Sequence, residues 1–241
     1  MPWGVPVPGD EEQVMYVWFD ALVNYISTLG WPGSDDFKTF WEEGFTLQIA
    51  GKDNLRQQSA MWQAMLMAAG IKNTDKILIN GFLNGADGKK MSKSLGNVIN
   101  PYDAVKEIGT DAVRFYLTYN VSSFEDSPIS MDMMKESFNA NLANGIGNLT
   151  NRIVKMAENY DVVVKLPEEG AVWIDKEFVG QAYHEAFKNF EPQKALEYLM
   201  NEVREMDLFI ATEQPFKKVK VDELSAKEDV ARLMLNLLYM G

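Results

Sequence analysis

The amino-acid sequence predicts an α/β unit followed by an all-α unit. In residues 1–100, short apolar runs rich in β-branched and aromatic residues alternate with segments of helical character. From residue 131 onward, apolar residues recur at spacings of three and four instead, as they do along one face of an α-helix. Glycine and proline residues separate the segments in both parts. This change in the spacing of apolar residues divides the chain into two parts of different structural class.

Three strands are expected in the first part, over residues 14–19, 45–50 and 76–80. A helix with Asp20 as its N-cap precedes Gly30, and a second helix over residues 55–69 precedes Gly70. Strands that alternate with helices predict a parallel sheet covered by helices. Because three strands are fewer than such a sheet usually has, we expect the sheet to be incomplete.

The second part has the pattern of a helical bundle. Asn100-Pro101 is typical of a helix start, and Gly109 ends that helix. A buried helix face is predicted by the spacing of Leu142, Ile146, Leu149, Ile153 and Met156. Further helices are expected over residues 175–190, 193–211 and 224–241. The last helix reaches Gly241 without a polar tail, so we expect the bundle to be truncated there.

Composition excludes several kinds of site. The 241 residues include no cysteine and one histidine, His184, which excludes disulfides, thiolate metal sites and a triad built on several histidines. No run approaches the ~18 apolar residues of a membrane helix, and no signal peptide is visible. We therefore expect a cytoplasmic protein with no membrane partner. Because the net charge is -12, we expect any contact with phosphate groups to depend on local lysine clusters.

One such cluster lies in a glycine-rich loop after the third predicted strand. Residues 85–97 have the sequence Gly-Ala-Asp-Gly-Lys-Lys-Met-Ser-Lys-Ser-Leu-Gly-Asn. The glycines permit a mobile loop with close backbone approach to a ligand, and the lysines supply point charges for phosphate. A second cluster, at Lys217, Lys218 and Lys220, lies near the C-terminal side. An ordinary solvated lysine loop is the alternative to a phosphate site.

The segment Lys90-Met91-Ser92-Lys93-Ser94 resembles the KMSKS motif of class I aminoacyl-tRNA synthetases. Further segments are similar to segments of the methionyl-tRNA synthetase family. They are the N-terminal run Trp3-Gly4-Val5-Pro6-Val7-Pro8, residues 16–21, Gly51-Lys52-Asp53 with Trp62, and residues 144–152. The resemblance implies that residues 1–84 are the C-terminal half of a Rossmann-like catalytic domain. Residues 85–130 would then form the KMSKS loop and connector, and residues 131–241 the α-helical anticodon-binding domain.

The resemblance also implies roles for individual residues. Lys90 and Lys93 would be catalytic. ATP would contact Gly81, Phe82, Lys90, Met91, Ser92, Lys93 and Ser94. Methionine would contact Trp18, Tyr25, Asp53 and Trp62, since aromatic faces hold a thioether and a carboxylate holds an ammonium group. The anticodon would contact Asn148, Arg152 and Phe216. No residue is expected to bind a metal.

Some positions depart from the family. Gln57-Gln58 stands where Phe-His is common, Asn80 where His precedes Gly-Phe, and Phe216 where Trp follows Pro. The HIGH motif is absent, because His184 is the only histidine. We therefore expect the HIGH-bearing N-terminal half elsewhere in the same gene or on a partner chain, and the isolated chain to be inactive.

The activity implied is that of a methionine–tRNA ligase, whose substrates are methionine, ATP and tRNA(Met). Mg²⁺ would be held mainly by the ATP phosphates. Two alternatives remain open. One is another class I synthetase of the leucine, isoleucine, valine or cysteine type. The other is a non-catalytic tRNA-binding or interaction fragment of a synthetase.

Overall fold

The computed structural model describes residues 4–91, 96–165 and 179–240. These residues group into two compact units, divided between Phe82 and Leu83. The first unit has mixed α/β structure and the second is almost entirely helical. The predicted order of an α/β part before an all-α part is therefore confirmed. The three-part division at residues 84 and 130 stays a prediction.

The first unit carries a parallel strand pair. Its elements are β1 (Pro6–Val7), β2 (Asp10–Val14), α1 (Val17–Ser27), α2 (Asp35–Phe37), β3 (Leu47–Gly51), α3 (Trp62–Ala68) and β4 (Lys76–Asn80). Between them, π-helical turns cover Lys38–Glu43 and Gln57–Met61, and a 3-10 turn covers Lys52–Asn54. β1 pairs antiparallel with β2, and β3 pairs parallel with β4. The strands predicted at 45–50 and 76–80 are thus confirmed as neighbours.

The strand predicted over residues 14–19 is wrong, because only its first residue lies in a strand and its last three are helical. β2 ends at Val14 and α1 begins at Val17, so Asp20 lies in the first turn of α1 and is not its N-cap. Helical spacing of apolar residues outweighed the β-propensity of the run. Leu22 and Ile26, one turn apart, are both buried in the core. Gly30 does adopt the expected left-handed conformation, with a φ of 77°.

A polar clamp fixes the register of β3 and β4 at their amino ends. The Asp75 carboxylate accepts hydrogen bonds from the Thr46 amide at 2.8 Å, the Thr46 hydroxyl at 2.9 Å and Lys72 Nζ at 2.8 Å. The Lys72 and Thr46 hydrogen bonds lower the pKa of Asp75 to about 2. Residues 46 and 75 directly precede the two strands, so the clamp holds Gly51 opposite Asn80 at the other end.

The second unit is mainly helical and contains two short strands. Its elements are β5 (Leu83–Asn84), α4 (Pro101–Ile108), α5 (Thr110–Tyr119), β6 (Ser127–Pro128), α6 (Met131–Ser137), α7 (Asn148–Asn159), α8 (Val179–Lys188), α9 (Pro192–Glu213), α10 (Pro215–Lys218) and α11 (Glu223–Met240). A π-helical segment, Phe138–Gly147, joins α6 to α7. The side chain of Asn100 accepts a hydrogen bond from the Tyr102 amide at 3.0 Å, which confirms the predicted N-cap of α4.

Two apolar clusters hold the second unit together. The predicted stripe on α7 is buried at Leu149, Ile153 and Met156, where it packs on apolar residues of α9 and α11. A second cluster lies between α4, α5, β6 and α6, around Tyr116 and Met134. Each large apolar side chain removed from water contributes about 1.5–3 kcal/mol. Because α5 also packs on α9, the expected connector and the expected bundle share one compact unit.

Candidate functional site

The carboxyl ends of β3 and β4 form the edge at which the first candidate residues lie. Gly51 and Asn80 end the two strands opposite each other, so Asp53 and Phe82 follow at the same edge. Lys52 Nζ lies 4.6 Å from the centre of the Phe82 ring, a cation–π contact that joins the two strand ends. Ligands of parallel α/β sheets bind at this edge. The structure thus places the predicted residues Asp53, Gly81 and Phe82 where a ligand is expected.

The position of the Asp53 carboxylate depends on the absence of a side chain at Gly51. A Cβ atom on Gly51 would stand 2.8 Å from Asp53 Oδ1, closer than van der Waals contact allows. The carboxylate therefore lies against the end of β3. Gly51 has φ -69° and ψ 156°, which any residue adopts, so a Cβ atom there would be opposed only by the Asp53 carboxylate. Asp53 itself is exposed.

An aromatic cluster lies in the same unit and includes three of the predicted methionine contacts. The rings of Tyr25 and Trp62 have their centres 5.8 Å apart, and Trp41 meets Trp62 edge-on at 6.0 Å. Trp18 is half-buried and packs on the same cluster. Trp62 is 1% exposed, whereas Tyr25 is 37% exposed and is accessible to a ligand. Tyr25 and Trp62 are thus ring neighbours, and Trp18 packs on the apolar cluster that includes Trp62. We call these three residues the aromatic cage.

Trp41 was not expected at this site. Its only sequence signal was the four-residue spacing from Phe37, which is also buried. Trp41 Nε1 donates a hydrogen bond to the Lys72 carbonyl at 2.9 Å, which fixes the position of the ring. An apolar cavity of about 370 Å³ is lined by Trp62 together with Phe19, Trp31 and Met65.

Gln58 joins the cage through its side chain. It is 4% exposed, and its Nε2 donates a hydrogen bond to Tyr25 Oη at 2.9 Å. The sequence marked this position only as a departure from the family, and the structure makes it the residue that orients Tyr25. Within the described residues, Gln57 Oε1, Gln58 Oε1 and Trp62 Nε1 are buried without a hydrogen-bond partner.

The glycine- and lysine-rich loop begins as a tight hairpin in the second unit. The Gly85 amide donates to the Lys89 carbonyl at 2.8 Å, and the Gly88 amide donates to the Gly85 carbonyl at 2.9 Å. Gly88 has a φ of 75°, which favours glycine. An isolated bridge between Asn84 and Lys90 closes the hairpin. The backbone therefore fixes Lys90 at the end of a defined turn.

The two ends of the KMSKS segment that the structure describes are held differently. Lys90 is exposed, whereas Met91 packs on the apolar cluster around Tyr116. Met91 therefore anchors the loop next to the exposed Lys90. The predicted ATP contacts Ser92 and Ser94, and the predicted catalytic residue Lys93, lie outside the described residues.

The three predicted anticodon contacts lie on α7 and α10. Asn148 is exposed, and Phe216 is 45% exposed, so its ring is available for stacking. Arg152 forms an ion pair with Asp207 of α9 at 2.5 Å, in which both side chains remain more than a third exposed. Asp207 precedes the last residue of α9 by six positions, about 9 Å along the helix. α10, with Phe216, follows α9 after a single residue.

Charge near Phe216 is partly neutralised. Lys218 Nζ hydrogen bonds to Asp229 at 2.8 Å and to Glu213 at 3.5 Å, and the Asp229 hydrogen bond is the main reason that the pKa of Lys218 is raised. Lys217 Nζ instead lies 6.0 Å from the centre of the Phe216 ring. Of the expected lysine cluster, Lys217 and Lys220 are exposed. His184 is exposed on α8, with its ring against Tyr183.

Metal-binding clusters and membrane-spanning helices are both absent from the described residues. No group of three or more His, Cys, Asp or Glu side chains in the described ranges is arranged to hold a metal ion. In the same part of the chain, no helix has both the length and the apolar composition needed to cross a bilayer.

Comparison with known proteins identifies the family. The model of the family described as "tRNA synthetases class I (M)" matches residues 1–154. The methionine–tRNA ligase of Thermosynechococcus vestitus is 36% identical over 98% of this chain, and that of Rickettsia typhi is 37% identical over 99%. The chain covers 46% and 48% of these two proteins, so it spans about half the length of the curated relatives it matches.

Solved structures agree with the sequence comparison. A Mycobacterium tuberculosis methionyl-tRNA synthetase bound by methionyl-adenylate superposes with a TM-score of 0.76 and 31% identity. The superposition covers 100% of this chain and 48% of that one. A structure of the same enzyme in its free state gives a TM-score of 0.75 at 28% identity. The chain therefore belongs to the methionyl-tRNA synthetase family of class I tRNA synthetases.

Proposed function

We propose that this chain supplies the methionine-binding, pyrophosphate-binding and anticodon-binding residues of a cytoplasmic methionine–tRNA ligase. The observation that carries the proposal is the aromatic cage of Tyr25, Trp62 and Trp18 in the same unit as Asp53 at the strand ends. Aromatic faces attract a polarizable thioether. The Asp53 carboxylate has the charge to bind the α-ammonium group of the amino acid.

The proposed reaction has two steps. A carboxylate oxygen of methionine attacks the α-phosphorus of ATP, the bond to the bridging oxygen breaks, and pyrophosphate leaves. A hydroxyl of the terminal tRNA ribose then attacks the carbonyl carbon of methionyl-adenylate, and AMP leaves. Gly81 and Phe82 would contact ATP at the strand edge, and Met91, Ser92 and Ser94 would contact it from the KMSKS loop.

Lys90 and Lys93 would act on the charge that develops during the first step. Negative charge accumulates on the departing pyrophosphate, and a positioned ammonium group stabilises it more than it stabilises bound ATP. The hairpin that ends at Lys90 and the packing of Met91 support this role. No described set of side chains suits Mg²⁺ as an all-protein site. We propose that the ATP phosphates hold this ion, and we assign no step to it.

The proposal requires residues that this chain lacks. The sequence contains one histidine, so the HIGH motif must come from the same gene or from a partner chain. We expect the purified chain alone to give no methionine-dependent ATP–pyrophosphate exchange, and an added HIGH-bearing half to restore it. Exchange by the chain alone would contradict this division of the active site. No exchange in any combination would favour a non-catalytic tRNA-binding fragment.

We further propose that Asn148, Arg152 and Phe216 read the methionine anticodon. Amide and guanidinium groups hydrogen bond to base edges, and an exposed aromatic ring stacks on a base. Arg152 and Asn148 are one turn apart on α7, and the ion pair with Asp207 joins α7 to the helix that precedes Phe216.

The Arg152→Ala variant tests this surface. We expect it to weaken binding of a methionine-anticodon stem-loop by about 1–3 kcal/mol, and binding of a mismatched stem-loop far less. Asp207→Asn is the matched control, because it breaks the same ion pair but leaves the guanidinium in place. Titration of both RNAs with each variant measures the effect. Equal weakening for both RNAs, or for both variants, would mean that Arg152 does not read the anticodon.

A further inference from the structure

The three lysines of the second lysine cluster differ in their electrostatic surroundings. Lys218 Nζ lies 2.8 Å from a carboxylate oxygen of Asp229 and 3.5 Å from one of Glu213, so it joins α10 to α11 and to the end of α9. Lys217 and Lys220 are exposed, and among the described residues neither of them forms an ion pair. The charges of these two lysines are therefore available to a ligand.

The acidic residues that follow the cluster have other partners. Asp222 Oδ1 accepts a hydrogen bond from the Ser225 amide at 3.1 Å, at the start of α11. A carboxylate oxygen of Glu223 lies 2.8 Å from Lys227 Nζ, one turn further along the same helix. Both carboxylates are thus engaged along α11, and neither is paired with the two exposed lysines.

Both exposed lysines lie on the turn that carries Phe216, whose ring is 45% exposed. Lys217 Nζ lies 6.0 Å from the centre of this ring. The Val219 amide donates to the Pro215 carbonyl at 3.0 Å, and the next residue continues the turn, with its amide 3.2 Å from the Lys217 carbonyl. Side chains four residues apart on a helical turn share one side, with Cβ atoms about 5–6 Å apart. Lys220 therefore shares a side of the turn with Phe216.

An exposed aromatic ring next to exposed ammonium groups has the chemistry of a site for single-stranded nucleic acid. Such sites stack a base on the ring and hold the backbone with positive charge. A lysine ammonium group is a point charge on a flexible stem, which suits a phosphate oxygen. Because the net charge is -12, the protein as a whole repels RNA, and local positive charge is needed where RNA binds.

We infer that Lys217 and Lys220 bind backbone phosphates of the anticodon loop beside the base that stacks on Phe216, whereas Lys218 holds α10 in place. This inference rests on the proposed function, since it concerns the same RNA surface. It adds a contact of a different kind, because phosphate contacts position an RNA and carry no sequence information. Asn148 and Arg152 would read the bases, and the two lysines would hold the strand.

The test measures binding of the methionine-anticodon stem-loop to the full chain over a range of salt concentrations. In the double variant Lys217→Gln, Lys220→Gln, the slope of log K against log salt concentration should become shallower by about 0.7 for each lysine. A mismatched stem-loop should show the same change in slope. The double variant Lys217→Arg, Lys220→Arg keeps both charges and should keep the slope of the unmodified chain.

The double variant Lys106→Gln, Lys188→Gln is the matched control, because it removes the same charge from exposed positions on α4 and α8. We expect it to leave the slope unchanged. An unchanged slope in Lys217→Gln, Lys220→Gln, or an equal change in the control, would overturn the inference, and the anticodon proposal would stand if the matched stem-loop is still preferred. Weaker binding of the matched stem-loop alone would mean that the lysines contact bases, which also contradicts the inference. If the chain binds neither stem-loop, the inference and the anticodon proposal fail together.

Discussion

Lys90→Ala is expected to lower the rate constant of adenylate formation about a hundredfold in the complete enzyme and to leave methionine binding nearly unchanged. Loss of one charge contact to the departing pyrophosphate removes on the order of 3 kcal/mol of transition-state stabilisation. The contact acts on charge that develops during the reaction, so the effect belongs in the rate constant. Single-turnover adenylation, with methionine affinity measured separately, distinguishes the two quantities.

Lys89 provides a matched control for Lys90. It is the preceding residue of the same hairpin, is well exposed, and lies 3.8 Å from Asp87 in an ion pair. Because that pair is solvated, we expect Lys89→Ala to change the rate constant little. A similar loss in both variants would mean that the loop acts through its total charge. Weaker methionine binding with an unchanged rate would make Lys90 a ground-state or structural residue.

The parts of the fold that could be predicted are those with strong local signals. β4 has the expected bounds, Lys76–Asn80, because an apolar run lies between polar residues. α4 begins after Asn100, because an Asn-Pro pair supplies both an N-cap and a first helical residue. α9 begins at Pro192, one residue before the start expected for the helix over residues 193–211.

The parts that could not be predicted depend on contacts between distant residues. The start of α1 at Val17 is stabilised by burial of Leu22 and Ile26 against Phe37 and Trp62, which the β-rich composition of the run does not indicate. The partner of Arg152 is 55 positions away on another helix. No local pattern in the sequence shows which carboxylate will face it.

The candidate site divides in the same way. Motif resemblance indicated Tyr25 and Trp62, and the structure brings their rings together. Trp41 packs on Trp62 of the cage, and Gln58 hydrogen bonds to Tyr25. Neither contact follows from periodicity, because each crosses from one helical segment to another. The close approach of the Asp53 carboxylate to Gly51 also depends on three-dimensional packing. The sequence shows only that a glycine and an acidic residue lie near the end of a strand.

Asp53→Asn is expected to raise the KM for methionine about a hundredfold, or about 3 kcal/mol, because the substrate ammonium group loses its only proposed counter-charge in this chain. The change keeps the size of the side chain, and Asp53 is exposed, so the free energy of unfolding should change little. Exchange kinetics over a range of methionine concentrations measures the KM, and chemical denaturation measures the free energy of unfolding. An unchanged KM would remove Asp53 from the methionine site.

Gly51→Ala tests the same role without removing the carboxylate. Its methyl group would stand 2.8 Å from Asp53 Oδ1, and because that atom ends a flexible side chain, the carboxylate should move while the backbone stays in place. Alanine adopts the backbone conformation of Gly51 without strain, so the free energy of unfolding should stay unchanged or rise by up to about 1 kcal/mol. Gly33→Ala, which meets no atom within 4 Å, is the control and should leave the KM unchanged. A raised KM in Gly51→Ala at undiminished stability would show that the position of the Asp53 carboxylate, and not its charge alone, determines methionine binding. If Gly51→Ala binds methionine normally while Asp53→Asn does not, the carboxylate acts from a position other than the one against Gly51.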